Sequence, residues 1–243
     1  MDAIHVCGGK APIDPELSYK LAKQESSNNA GARSFYKSEK PQHQRYWAQH
    51  KTLKVGFFFN EQLRIDHFKK SIEPWLEHIN LNIEFVEEVE TADIRVSIDP
   101  ADAGHWSCIG TDAKCIDRHL PTMHFDITRP YTAKVWSGFI LHEFGHALGL
   151  DHEHQHPDRT IDWNTPAVYR ECQKNEGWTQ ETTYFNIFDL NPRDHAATFP
   201  YDPKSIMHYG FDKAFLWRSP SIYSNFVLSK KDIDLIKSIY PKS

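Results

Sequence analysis

Residues 142–152 read HEFGHALGLDH. On an α-helix His142 and His146 stand four residues apart, so their imidazoles leave one face about one turn from each other and reach a single metal ion. Glu143 sits beside them on the same helix, out of line with both. Gly149 then allows a sharp reversal, because glycine enters the left-handed backbone region without steric cost, and the turn brings His152 back as a third ligand. Three neutral nitrogens leave one coordination position open, which marks a catalytic zinc rather than a structural one. In a chain with 15 histidines a bare HExxH is a modest signal; Gly149 and His152 make the pattern specific.

Working outward, YTAKVWSGFILHEFGHALGL (131–150) places Val135, Trp136, Phe139, Ile140, Phe144, Ala147 and Leu148 on a broad apolar face, the pattern of a buried helix that Gly149 ends. Upstream, KTLKVGFFF (51–59) reads as a core strand, and EQLRIDHFKKSIEPWLEHI (61–79) as a helix that Pro74 kinks or divides. LNIEFVEEV and ADIRVSI read as two more strands, HWSCIGTDA as a loop and PTMHFDI (121–127) as a short fourth strand. That fourth strand is either the exposed edge to which an extended peptide adds or a plain core strand. Downstream, TPAVYRECQKNEG and QETTYFNIF read as shorter helices in a loop-rich region, and LSKKDIDLIKSIYP as a closing helix capped by Ser229. Residues 1–44 are polar and aperiodic, with little to bury, and read as an N-terminal extension or pro-segment ahead of a catalytic domain at 45–243.

Composition narrows the partners. With 40% hydrophobic and 25% charged residues and a formal net charge of −5, the chain is an ordinary globular protein without the basic surplus of a nucleic-acid binder. Four cysteines (Cys7, Cys108, Cys115, Cys172) are too few for a disulfide scaffold; Cys108 and Cys115 either close a small loop or remain two thiols. No apolar stretch approaches the ~20 residues of a membrane span. The opening MDAIHVCGGKAPIDPE has no basic start and apolar run, so the expectation is no signal peptide and a cytoplasmic or non-classically exported protein.

The extended motif HExxHxxGxxH resembles that of the metzincin zinc peptidases, which carry a methionine-containing turn further along. Met207 in SIMHY (205–209) is similar to the astacin family's version of that turn, and Glu153, Asp158 and Arg159 also match astacins. Leu150 and His156 stand where astacins usually have Phe and Arg, and the family's disulfide cysteines have no recognisable counterparts. The resemblance, over roughly residues 45–241, implies a mixed α/β metzincin fold: a twisted, mainly parallel sheet backed by two long helices, then an irregular lower half closed by a C-terminal helix. It implies one catalytic Zn²⁺ on His142, His146 and His152, Glu143 as general base, Tyr209 as a zinc-side group that swings to the oxyanion, and Met207 as packing beneath the imidazoles. In the family the glutamate after the third histidine, here Glu153, binds the new amino terminus left by propeptide removal. His154 and His156 fit no ligand position and read as solvated loop or cleft residues.

The expected activity is endopeptidase action on protein or peptide substrates, with two alternatives: a secreted effector or toxin protease acting on host proteins, and a catalytically silent zinc-binding interaction module. The silent module has no use for Glu143 and Tyr209. Cys7, in HVCGG, is either a free thiol or a thiolate that fills the open zinc position and holds the enzyme latent.

Overall fold

The structure, a computed structural model, describes residues 14–29, 43–191 and 199–242. Thr52–Phe57 form β1, Gln62–Leu76 α2, Asn82–Phe85 β2, Ile94–Ser97 β3, Trp106–Ser107 β4 and Met123–His124 β5. The sheet order is β2-β1-β3-β5-β4, with β2, β1, β3 and β5 parallel and β4 antiparallel to β5. Parallel neighbours need crossovers, and α2 (Gln62–Leu76) supplies the one between β1 and β2. The helix runs through Pro74 and stops two residues later, so the proline sits in the last turn.

The metal-motif helix α3 (Ala133–Ala147) packs against α2. Trp75 joins the two directly, donating from Nε1 to the Leu141 carbonyl at 2.8 Å while its ring is fully buried. Leu53, Val55, Ile94, Val96 and Met123 from the sheet and Phe68, Ile72, Phe139, Ile140 and Phe144 from the helices form the upper core. A second core of Val168, Cys172, Ile187, Tyr209, Phe211 and Phe215 holds the lower half, where α4 (Thr165–Glu176), the single turn α5 (Gln180–Thr183) and the wider π turn Tyr184–Phe188 lie. The closing helix α6 (Lys230–Ile239) returns to the upper core through Ile236 and Tyr240. The mixed α/β architecture expected from the element order is the one found.

Two local expectations are corrected. PTMHFDI is not the edge: β5 lies between β3 and β4, and the edge strand is Trp106–Ser107, inside the stretch read as a loop. Two residues are too few to show an alternating pattern, so β4 leaves no periodic trace. Ahead of residue 45, Pro15–Glu25 form a helix, α1, capped by Asp14, whose carboxylate accepts from the Glu16 amide at 2.9 Å. Its buried face is Ser18 and Ala22, small residues that a search for apolar periodicity passes over. Of the two alternatives for Cys108 and Cys115, the structure holds the second: no disulfide joins them. Among the described residues, no helix is long and apolar enough to cross a membrane.

Candidate active site

Helix α3 carries His142 and His146 on one face, ends at Leu148, and reverses at Gly149, whose φ of 103° is open to glycine and strained for other residues. The Leu150 amide bonds back to the Gly145 carbonyl at 3.1 Å, closing the turn, and His152 follows facing the helix. Imidazole Nε2 atoms of His146 and His152 approach to 2.9 Å, and the potential ligand nitrogens of His142, His146 and His152 all lie within 4.8 Å of one another.

The tautomers are set by carbonyls, which accept and never donate. His142 Nδ1–H donates to the Ile206 carbonyl and His146 Nδ1–H to the Leu150 carbonyl, both at 2.7 Å. Each Nε2 therefore presents a lone pair to the space between the rings. Burial pushes His142 down to about 4, and burial with the neighbouring His142 pushes His146 down to about 3, so both rings are neutral, the ligand form, at pH 7. His142 Nε2 is buried with no hydrogen-bond partner. A buried acceptor of that kind is costly unless a cation takes it, and three imidazoles at this spacing suit zinc.

Glu143, 2% exposed, and Tyr209, 4% exposed, share with His142 the lining of a cleft of about 150 Å³ between the upper and lower halves. Tyr209 is held by its neighbours: its ring stacks on His154 at 4.3 Å and lies 4.4 Å from the His152 ring. His154 is thus a buried packing partner of the candidate oxyanion tyrosine, and its Nε2–H donates to the Asn186 carbonyl at 2.9 Å. His156 is buried too, bonded to the Phe199 carbonyl at 3.1 Å. The solvated-loop expectation for both fails because the lower half folds over them and offers backbone carbonyls.

Below the imidazoles, Met207 packs against Gly145. A Cβ on Gly145 would lie 2.5 Å from Met207 Sδ and 3.2 Å from Trp75, so the glycine inside HEFGH is what lets the methionine approach. The turn is anchored from far along the chain. Asp232, buried in the first turn of α6, accepts from the Ser205 hydroxyl at 2.6 Å, the Ile206 amide at 2.9 Å and the Ser229 amide at 2.8 Å. The Ile206 carbonyl in turn accepts from His142 Nδ1–H, so the closing helix orients a candidate metal ligand through one intervening residue. Sequence reading noted the Ser229 cap and missed Asp232, whose signal was the Ser-x-x-Asp spacing of a capping box. Glu153 faces away from the cleft into a smaller cavity of about 80 Å³, where burial raises its carboxyl to about 8 although the Asp202 amide donates to it at 2.6 Å. Cys7 lies outside the described residues.

The model of the astacin peptidase family matches residues 39–233. A structure of myroilysin is 31% identical, with a TM-score of 0.76 over 82% of this chain and 97% of that one. High choriolytic enzyme 1, a hatching enzyme zinc-protease of the medaka Oryzias latipes, shares the fold at 20% identity, with a TM-score of 0.55 over 89% of this chain and 100% of that one. The astacin-like metalloendopeptidase of Mus musculus is 38% identical over 81 residues, which are 33% of this chain and 16% of the mouse protein, so this match spans only a small part of that relative. With a histidine triad able to hold a metal, the methionine turn and a family match across most of its length, the chain belongs to the astacin family of zinc metallopeptidases.

Proposed function

We propose that the chain is a zinc-dependent endopeptidase acting on protein or peptide substrates, with His142, His146 and His152 as ligands, Glu143 as general base and Tyr209 as oxyanion donor. The observation that supports it most is the unpartnered His142 Nε2, facing two further imidazoles beside a carboxylate and a phenol in an open cleft. A bound zinc supplies Lewis acidity, which lowers the pKa of a bound water towards ~7.

The chain's own groups do the rest. The Glu143 carboxylate takes the water proton as the oxygen adds to the scissile carbonyl carbon, and returns it to the amine nitrogen as the C–N bond breaks. The Tyr209 hydroxyl donates to the carbonyl oxygen as negative charge develops there, and its stacking on His154 limits the positions the ring takes. An extended substrate adds its backbone to the edge strand β4 beside the cleft, the role first assigned to PTMHFDI. A silent zinc module would need neither the carboxylate nor the phenol.

Casein digestion by the full chain and by Glu143→Ala is the test. We expect a loss of about 10²–10⁴-fold with zinc content and melting temperature unchanged; equal activity in the two proteins would remove Glu143 as the base. A latent state fits the same site: a Cys7 thiolate from the 1–44 pro-segment would occupy the open zinc position. Cys7→Ala should then raise basal cleavage, and unchanged activity in that variant would end the latency reading.

A further inference from the structure

Arg45 is 5% exposed, and its guanidinium is shared between two carboxylates: Nη1 lies 3.1 Å from Asp112 Oδ2 and Nη2 lies 2.6 Å from Asp151 Oδ1. Asp112 belongs to the 3₁₀ segment Gly110–Cys115, and Asp151 immediately precedes the ligand His152. The arginine therefore spans two segments that are not otherwise neighbours in sequence, and it reaches the metal loop one residue before its third ligand.

The backbone makes the same junction. The Arg45 carbonyl accepts from the Thr111 amide at 2.9 Å. A Cβ on Gly110 would lie 1.9 Å from that oxygen, and one on Gly149 would lie 3.3 Å from it, with Tyr46 at 2.7 Å. Both glycines have positive φ, 49° and 103°. The strip carrying Arg45 thus passes between two glycines, one of which is the glycine that reverses the chain towards His152. Helix α1 closes the far side: the Ser18 hydroxyl donates to Asp112 and lies 3.0 Å from His43 Nε2, and all three side chains are buried.

We propose that Arg45 is a positioning residue for the third zinc ligand: by clamping Asp151 against Asp112 it fixes the loop Gly149–Asp151 and so sets where the His152 imidazole stands. His142 and His146 ride on a helix and donate from Nδ1 to the Ile206 and Leu150 carbonyls. His152 follows a turn whose internal hydrogen bonds end at Leu150; its own carbonyl accepts from the Gln155 amide and the Asn191 side-chain amide, so Asp151 is the tie on its N-terminal side. A planar, always charged fork suits the task, since it bonds two carboxylates at once in a fixed geometry, which a lysine ammonium at the same site does not. The inference rests on the zinc-peptidase reading above.

The test is zinc affinity of the full chain, measured by competition with a chromophoric chelator, in Arg45→Lys and Asp151→Ala. Asp151→Ala cuts the link to the metal loop while leaving the Arg45–Asp112 pair in place, and so remains informative if Arg45→Lys folds poorly. We expect zinc to be held about 10–100-fold more weakly in both, the range for losing a group that orients a ligand, with cleavage recovering as free zinc is raised. Affinity within about twofold of wild type in Asp151→Ala, whatever the melting temperature does, would overturn the assignment and leave Arg45 a purely structural ion pair. A wild-type chain that takes up no zinc would instead overturn the peptidase reading on which the assignment stands.

Discussion

Single atoms decide several features of this molecule. Gly145 is the clearest case. Replacing it by alanine gains about 1 kcal/mol of helix propensity, yet the new methyl meets Met207 Sδ at 2.5 Å and Trp75 at 3.2 Å. Overpacking a dense core costs typically ~1–3 kcal/mol, and both neighbours are buried, so Gly145→Ala should be a net loss, read as a lower midpoint in urea. A midpoint equal to wild type would show that Met207 has room to move aside. Residues of this kind separate what the sequence displays from what it hides. The three histidines, Glu143 and Gly149 were legible because metal chemistry imposes a spacing that helix geometry makes recognisable. Arg45 and Asp112 were not: no local pattern announces a contact across 67 or 106 residues; Asp232 showed its capping-box spacing with Ser229 but not its bonds to Ser205 and Ile206.

At the scale of elements, apolar periodicity located α2, α3, β1 and β3, each of which buries a face in the upper core. It passed over α1 and β4 for different reasons: α1 docks through serine and alanine, and β4 is two residues long. Helix α6 was found from its amphipathic pattern, but its N-terminal turn does more than cap. Asp232→Ala removes the acceptor for Ser205, Ile206 and Ser229, whereas Ser229→Ala removes the cap hydroxyl and leaves the Asp232 contacts to residues 205 and 206. The expected losses are about 3 kcal/mol for the first, because three donors around a buried carboxylate are stranded, and about 1 kcal/mol for the second. Urea unfolding of the zinc-free variants measures both, and equal losses would mean that α6 contributes to the methionine turn only as an ordinary capped helix.

Across the whole molecule, buried neutral histidines couple stability to pH. His208 lies outside the ligand set; its Nδ1–H donates to the Tyr209 carbonyl at 2.7 Å, and the Tyr201 hydroxyl donates to its Nε2 at 2.8 Å. Burial holds it down at about 4, against an ordinary 6.5. The unfolded chain therefore takes up a proton that the folded chain refuses. The stability from this group is complete above pH 6.5 and is lost as pH falls towards about 4, at up to ~1.4 kcal/mol per pH unit. Comparing urea midpoints at pH 7 and pH 5 in wild type and His208→Gln tests this; the same pH slope in both would show that His208 contributes none of it. The long tie between Asp232, Ile206 and His142 has a further effect, on the order of assembly. A nascent chain has all three imidazoles in hand while the carbonyl that aims the first of them, and the carboxylate that steadies that carbonyl, are still to be made. Tyr240, whose hydroxyl donates to the Leu148 carbonyl at 2.7 Å and accepts from the Trp47 amide at 3.0 Å, comes later still. A chain stalled before α6 would therefore carry the three histidines without the carboxylate that steadies the carbonyl aiming the first of them.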